Sequence, residues 1–155
     1  MSNLPLVSIV VPTFNQGYYL PIALDSVMFQ DYGNIEIIIT NHGSTDGTSE
    51  VIKSWLNEVK TESVSFLHHY QENGSPEFVR HTDRRYPANR RITVIESNEN
   101  IGGTNSYNEG FKKAIGEFCT YLVADDYFLP HAVSTMVHAL TTGNVDVVFF
   151  GHARG

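Results

Sequence analysis

The sequence is short of cysteine, of cations and of long apolar runs, and each shortage removes a class of protein. A single cysteine, Cys119, leaves no intramolecular disulfide to form, and its apolar neighbours suit a buried thiol in a reducing compartment. Lysine and arginine total 10 against 17 aspartates and glutamates, for a net charge of −7. That balance argues against nucleic acid as a partner, because phosphate-backbone binding depends on clustered cations. No stretch approaches the roughly 20 apolar residues of a membrane-spanning helix, and the N-terminus lacks a basic segment followed by an apolar run. The expectation is a cytoplasmic chain with no transmembrane segment. None of the histidines is spaced with Cys119 or with a second helical histidine as zinc ligands are. The glycine fingerprint of nicotinamide enzymes and the G-x-S-x-G elbow of hydrolases are also missing.

What is present is an alternation of apolar strands and amphipathic helices. The 155 residues, 41% hydrophobic, suffice for one domain spanning 1–155. Val7 to Val11 is a β-branched run closed by Pro12. Leu20, Ala23, Leu24 and Val27 then recur at helical spacing. Ile35 to Thr40 reads as a second, fully covered strand, and Val51, Ile52, Trp55, Leu56 and Val59 as the buried face of a second helix. A third strand is predicted at Arg91–Ile95 and a third helix with Tyr107, Phe111, Ala114 and Ile115 inward. A fourth strand follows at Phe118–Val123, a helix opened by Pro130, and a fifth strand at Val145–Phe150. The implied fold is α/β and Rossmann-like, a mostly parallel sheet with helices on both faces, ending at about the fifth strand. The stretch at about 60–90 breaks this rhythm and reads as an inserted loop large enough for a small hairpin or helix. Arg80, Arg84, Arg85, Arg90 and Arg91 cluster there, as a docking patch for acidic partners or as a solvated loop.

In such a sheet, ligands bind at the carboxyl ends of the strands. Pro12-Thr13-Phe14-Asn15 leaves the first strand with a hydroxyl, an aromatic face and an amide, suited to a ribose and a base. Asn41-His42-Gly43-Ser44-Thr45-Asp46 leaves the second as a polar turn before a helix, where anions meet backbone donors. Asn100-Ile101-Gly102-Gly103 leaves the third, with glycines that let the backbone approach a ligand, and leads into the helix carrying Asn108. Asp125 and Asp126 leave the fourth. Adjacent carboxylates raise each other's pKa, whereas Mg²⁺ or Mn²⁺ would neutralise both and keep positions open for phosphate oxygens. The competing reading of that pair is a helix cap.

The order and spacing of Val7–Asn15, Ser26–Gln30, Glu36–Ile39, Gly43–Thr48, Asn100-Ile101-Gly102, Asn108, Gly116-Glu117, Asp125-Asp126 and Pro130 resemble the family 2 glycosyltransferases. The resemblance implies the GT-A fold and transfer of a sugar, with inversion, from a nucleoside diphosphate sugar, UDP-linked by preference, to a saccharide or lipid-linked acceptor. It implies that Thr13 and Phe14 line the nucleoside, that Asp46 shapes the nucleotide turn, that Asp126 holds Mn²⁺ or Mg²⁺, and that Asp125 touches the ribose or shares the metal. Pro12, Asn15, Asn41, His42, Asn100, Gly102 and Asn108 complete the expected nucleotide-sugar site. Peripheral association of the full protein with the inner face of a membrane fits such acceptors. Two positions depart from the pattern. Asn41 and His42 stand where the family often carries an acid that receives a hydrogen bond from the base, and Val123 stands where the metal motif often begins with Asp. The resemblance also places the general base beyond the fifth strand, so no residue of 1–155 is nominated for it and donor binding alone is expected. The alternative is a catalytically inactive, glycosyltransferase-like binding or assembly module.

Overall fold

In the computed structural model, which describes residues 4–61, 65–70, 76–81, 86–143 and 145–149, the elements run in this order: β1 (Val7–Thr13), α1 (Leu20–Met28), β2 (Ile35–His42), α2 (Thr48–Thr61), β3 (Ser65–Tyr70), β4 (Pro76–His81), β5 (Arg91–Ser97), α3 (Gly103–Lys113), β6 (Phe118–Tyr121) and α4 (Ala132–Gly143). Four strands form a parallel sheet in the order β5-β2-β1-β6. The predicted insertion holds an antiparallel hairpin, β3 with β4. The side chains of His68, His69, Arg80, Arg84 and Arg85 lie outside the described residues.

The two central strands are buried along their whole length, which is why they read as continuous apolar runs. Side chains alternate across a strand, so the two faces separate by residue parity. Val7, Ile9, Val11, Ile35, Ile37 and Ile39 join Leu20, Leu24 and Val27 of α1, Ile52 and Trp55 of α2, and Val133 and Val137 of α4 in one cluster. The opposite face, with Val10 and Thr40, meets α3 at Gly110. This division follows from right-handed crossovers: β1 to β2 to β5 steps one way along the sheet, and β5 to β6 steps back, which puts the intervening helix on the other side.

Two predicted elements require correction. The inward face of α3 is Ser106 and Gly110, while Phe111 and Ile115 are exposed. A Cβ at Gly110 would lie 2.3 Å from Val10 Cγ1, so this helix sits too close to the sheet for large residues. The fifth strand is not formed among the described residues 145–149, where Val147 and Phe149 are exposed. The last sheet pairing is that of β6 with β1, and a run of apolar residues makes a strand only where another strand takes its hydrogen bonds.

A buried polar network ties the far end of α1 to the rest. Asp25 Oδ1 accepts from Trp55 Nε1 at 2.7 Å and from Tyr86 Oη at 2.8 Å. The Arg90 guanidinium donates to the carbonyl of Met28, which the end of α1 leaves without a helical partner, and to those of Gln30 and Tyr32 in the turn that follows. Arg90 is thereby an internal cap, and burial pulls its pKa below the ordinary arginine value.

Candidate functional site

Pro12 opens the site. Val10 accepts a hydrogen bond from the Leu122 N–H at 2.9 Å, so the backbone of Val10 faces β6, as does that of Pro12 two residues later. The β1–β6 pairing stops at Val10 with Tyr121, so the missing N–H of Pro12 costs no ladder bond and the two strands part there. Between their ends lies a cleft of about 290 Å³ lined by Pro12, Thr13, Phe14, Gln16, His42, Asn100, Gly102, Gly103, Ser106, Tyr107 and Val123. All four strand exits contribute. The volume is just below the roughly 300–1,000 Å³ of small-molecule sites, enough to enclose a nucleoside-sized group.

The expected ligand-binding residues fall into three groups. Pro12, Thr13, Phe14, His42, Asn100 and Gly102 line the cleft. Thr13 is buried, and its Oγ1 has no hydrogen-bond partner among the described residues. Phe14 is 46% exposed, an apolar ring left facing the opening.

Asn15, Asn41 and Asp46 are instead engaged with the protein. Asn15, held at φ 52°, donates its N–H to Ser44 Oγ at 3.0 Å and accepts from the Thr45 N–H at 2.7 Å, which locks the β1 exit to the β2 exit. Asn41 donates to Ser49 Oγ and Glu96 Oε1 and accepts from Ser44 Oγ at 2.6 Å. Asp46 accepts from the hydroxyl and N–H of Thr48, at the start of α2, and from the Gly17 N–H. The Thr48 hydroxyl, ahead of the backbone donors, holds this carboxyl below the usual carboxylate range. Gly43, at φ 74°, closes the turn against the loop before α3, where a Cβ would lie 2.6 Å from the Asn100 nitrogen. Asn108 is exposed and outside the cleft, because about 200° of helix rotation separates it from Ser106.

Asp125 and Asp126 form the third group. Both are exposed, and neither side chain is engaged in a hydrogen bond or ion pair among the described residues. Their charges reach the cleft wall: the Tyr107 phenol is pushed up by burial first, then by Tyr121, Asp125 and Asp126. No set of three or more His, Cys, Asp or Glu side chains suited to a metal occurs among the described residues. Two open carboxylates whose charge no cationic side chain offsets among the described residues nevertheless fit a hard cation that draws most of its ligands from water and phosphate. Gln16, Gly103, Ser106, Tyr107 and Val123 were not foreseen as cleft residues. Ser106 and Tyr107 follow Gly102 by one helical turn, a spacing that places them at the same strand exit.

The sequence pattern of Glycosyl transferase family 2 matches residues 8–77 and 72–154, and the chain belongs to that family. It is 29% identical, over 94% of its length, to a protein described as an uncharacterized glycosyltransferase of Rickettsia typhi. The chain covers 36% of that relative, so it spans about a third of the curated proteins it matches first. Among solved structures, TarS 1–349 of S. aureus in complex with UDP has a TM-score of 0.62 at 21% identity, over 88% of this chain and 32% of that one. The mannosyltransferase PcManGT of Pyrobaculum calidifontis, in complex with GDP-Man and Mn²⁺, has a TM-score of 0.63 at 22% identity, over 90% of this chain and 32% of that one. These likenesses show the fold, which is that of the GT-A glycosyltransferases. No helix among the described residues is long and apolar enough to cross a membrane.

Proposed function

We propose that residues 1–155 form the donor-binding domain of a metal-dependent glycosyltransferase that moves a sugar from a nucleoside diphosphate sugar to an acceptor hydroxyl, with inversion. The observation that carries this reading is Thr13: a buried hydroxyl, without a partner among the described residues, lining a cleft made by four strand exits. An unsatisfied buried hydroxyl costs about 1–3 kcal/mol, which a ligand polar group would recover. Thr13 would bind the base or ribose and Phe14 would cover the nucleoside ring. The α3 N-terminus, where Gly102 and Gly103 keep the backbone open, would face the diphosphate with free N–H groups and the positive end of the helix dipole. Asp125 and Asp126 would hold Mn²⁺ or Mg²⁺. A cation there supplies charge neutralisation for the nucleoside diphosphate as it leaves the sugar.

The UDP and GDP-Man complexes of the structural neighbours support a nucleotide in this cleft, and the mannosyltransferase complex supports Mn²⁺. A saccharide or lipid-linked alcohol is the acceptor class we assign, and the inner face of a membrane the setting. The inactive-module alternative draws on Asn41, which stands at an expected acidic position and whose amide is consumed internally.

Calorimetry of the folded chain with UDP and Mn²⁺ tests the reading. Saturable binding that EDTA abolishes is expected; a folded sample that takes up no UDP at millimolar concentration would overturn it. Donor binding without transfer or donor hydrolysis, in this chain and in longer versions of it, would favour the module.

A further inference from the structure

Beneath the cleft lies a buried histidine with an acid behind it. His42 is 4% exposed, and both ring nitrogens are bound by α3. Nε2 is 3.0 Å from Glu109 Oε2, and Nδ1 is 3.1 Å from Ser106 Oγ, itself 2.8 Å from Thr40 Oγ1. Glu109 and Ser106 are one helical turn apart, so a single helix face sets the ring's orientation.

The partners define where protons sit. An ionised carboxylate only accepts, so Nε2 carries a proton and donates it to Glu109. Nδ1 then has two satisfied states. In the neutral ring it accepts from the Ser106 hydroxyl. In the charged ring it donates to Ser106 Oγ, and the Ser106 hydroxyl turns to Thr40 Oγ1. A proton can therefore enter at Nδ1 without stranding either ring nitrogen. Among the described residues the titratable group in contact with the ring is Glu109 on α3; Tyr107, also on α3, lines the same cleft, and Glu96 on β5 belongs with its register partner Asn41 on the opposite face of the sheet. All are acids, so the charged imidazole would be the local cation beside a cleft proposed to take an anion.

We propose that Glu109 is a positioning residue for His42, and that through it nucleotide-sugar binding is proton-linked: His42 takes one proton from solvent at Nδ1 as the diphosphate enters. This rests on the donor-binding reading of the cleft. Binding of the anion favours the charged ring, so by linkage affinity rises as pH falls. A unit charge near a phosphate at protein-like dielectric sets the scale at about tenfold.

The test is calorimetry of the chain with UDP-N-acetylglucosamine and Mg²⁺, run in buffers of different ionisation enthalpy from about pH 5 to 8. The diphosphate of this probe is a diester and exchanges no proton there, so buffer-dependent heat reports the protein. Net proton uptake is expected, with affinity about tenfold higher at the acid end. In Glu109→Gln the uptake and the pH dependence should shrink or move to lower pH, and His42→Gln should abolish them. If His42→Gln does not fold, the half-exposed Glu109→Gln still decides. Binding by the unsubstituted chain with no proton uptake and a flat pH profile, or a Glu109→Gln profile matching the unsubstituted one, would overturn the inference and leave the donor reading standing. A folded chain that binds nothing at any pH overturns both.

Discussion

The exits of β2 and β6 carry similar chemistry and use it in opposite ways. After β2, Asn41, Ser44 and Asp46 spend their polar atoms on Ser49, Glu96, Thr48 and the β1 loop. After β6, Asp125 and Asp126 are exposed, and neither side chain has a described hydrogen bond. One exit is a finished piece of structure; the other is chemically unfinished. Two adjacent carboxylates without a described partner raise local repulsion and give the fold nothing in return, which is why we assign them to a ligand in the proposed function. Under the proposed function, polar residues at this edge of the sheet divide into those that shape the cleft and those that would meet what enters it.

The sharpest way to break that comparison is to neutralise each exit in turn. Asp126→Ala should lower metal-dependent UDP affinity on the order of 100-fold, about 2.7 kcal/mol, with an unchanged unfolding midpoint. A shift in Tm with intact binding would assign the residue to structure. Asn41→Leu should do the reverse. Ser44, Ser49 and Glu96 lose their shared partner, and stability should fall by about 2 kcal/mol in urea unfolding, while whatever folds still binds nucleotide.

The same division explains what could be read from sequence. β1 and β2 were legible because burial on both faces makes their runs nearly continuous in apolar residues, broken only by Ser8 and Glu36, which bond each other, and the four strand exits were legible because turn residues follow each apolar run. The saturation of Asn41 was not. Its partner Glu96 lies 55 residues away on another strand, and no local pattern announces that meeting. The α3 face was misread for a related reason. Periodicity points to large apolar residues, whereas close approach to Val10 selects Gly110 and leaves Phe111 outside. Tyr107, counted as core, lines the cleft because the helix is rotated to put those small residues inward.

Thr13 sharpens the comparison within the cleft, since it is buried like Asn41 yet unsatisfied like Asp126. Thr13→Val keeps the shape and removes the hydroxyl. Stability should hold or rise slightly, because no protein hydrogen bond is lost. UDP affinity should fall by about 0.5–1.5 kcal/mol, and equal affinity in calorimetry would remove Thr13 from the ligand's contacts.

The smallest effect expected is at Asp46, where the β2 exit meets solvent. Its carboxyl is held below the ordinary range by the Thr48 hydroxyl first and by the Gly17 and Thr48 N–H groups after it. A depressed folded-state pKa contributes stability that is present above the unfolded carboxylate pKa and is lost as pH falls through the lower, folded value. Because the side chain is exposed, solvent screening limits the contribution to a few tenths of a kcal/mol. Asp46→Asn keeps an acceptor for Thr48 but removes the charge, so its unfolding curves should match those of the unsubstituted chain in strong acid and diverge by that amount near neutral pH. The difference should shrink in high salt. A gap that persists in strong acid would mean that the hydrogen-bond geometry of the turn, and not the carboxylate charge, is what Asp46 contributes to the finished exit.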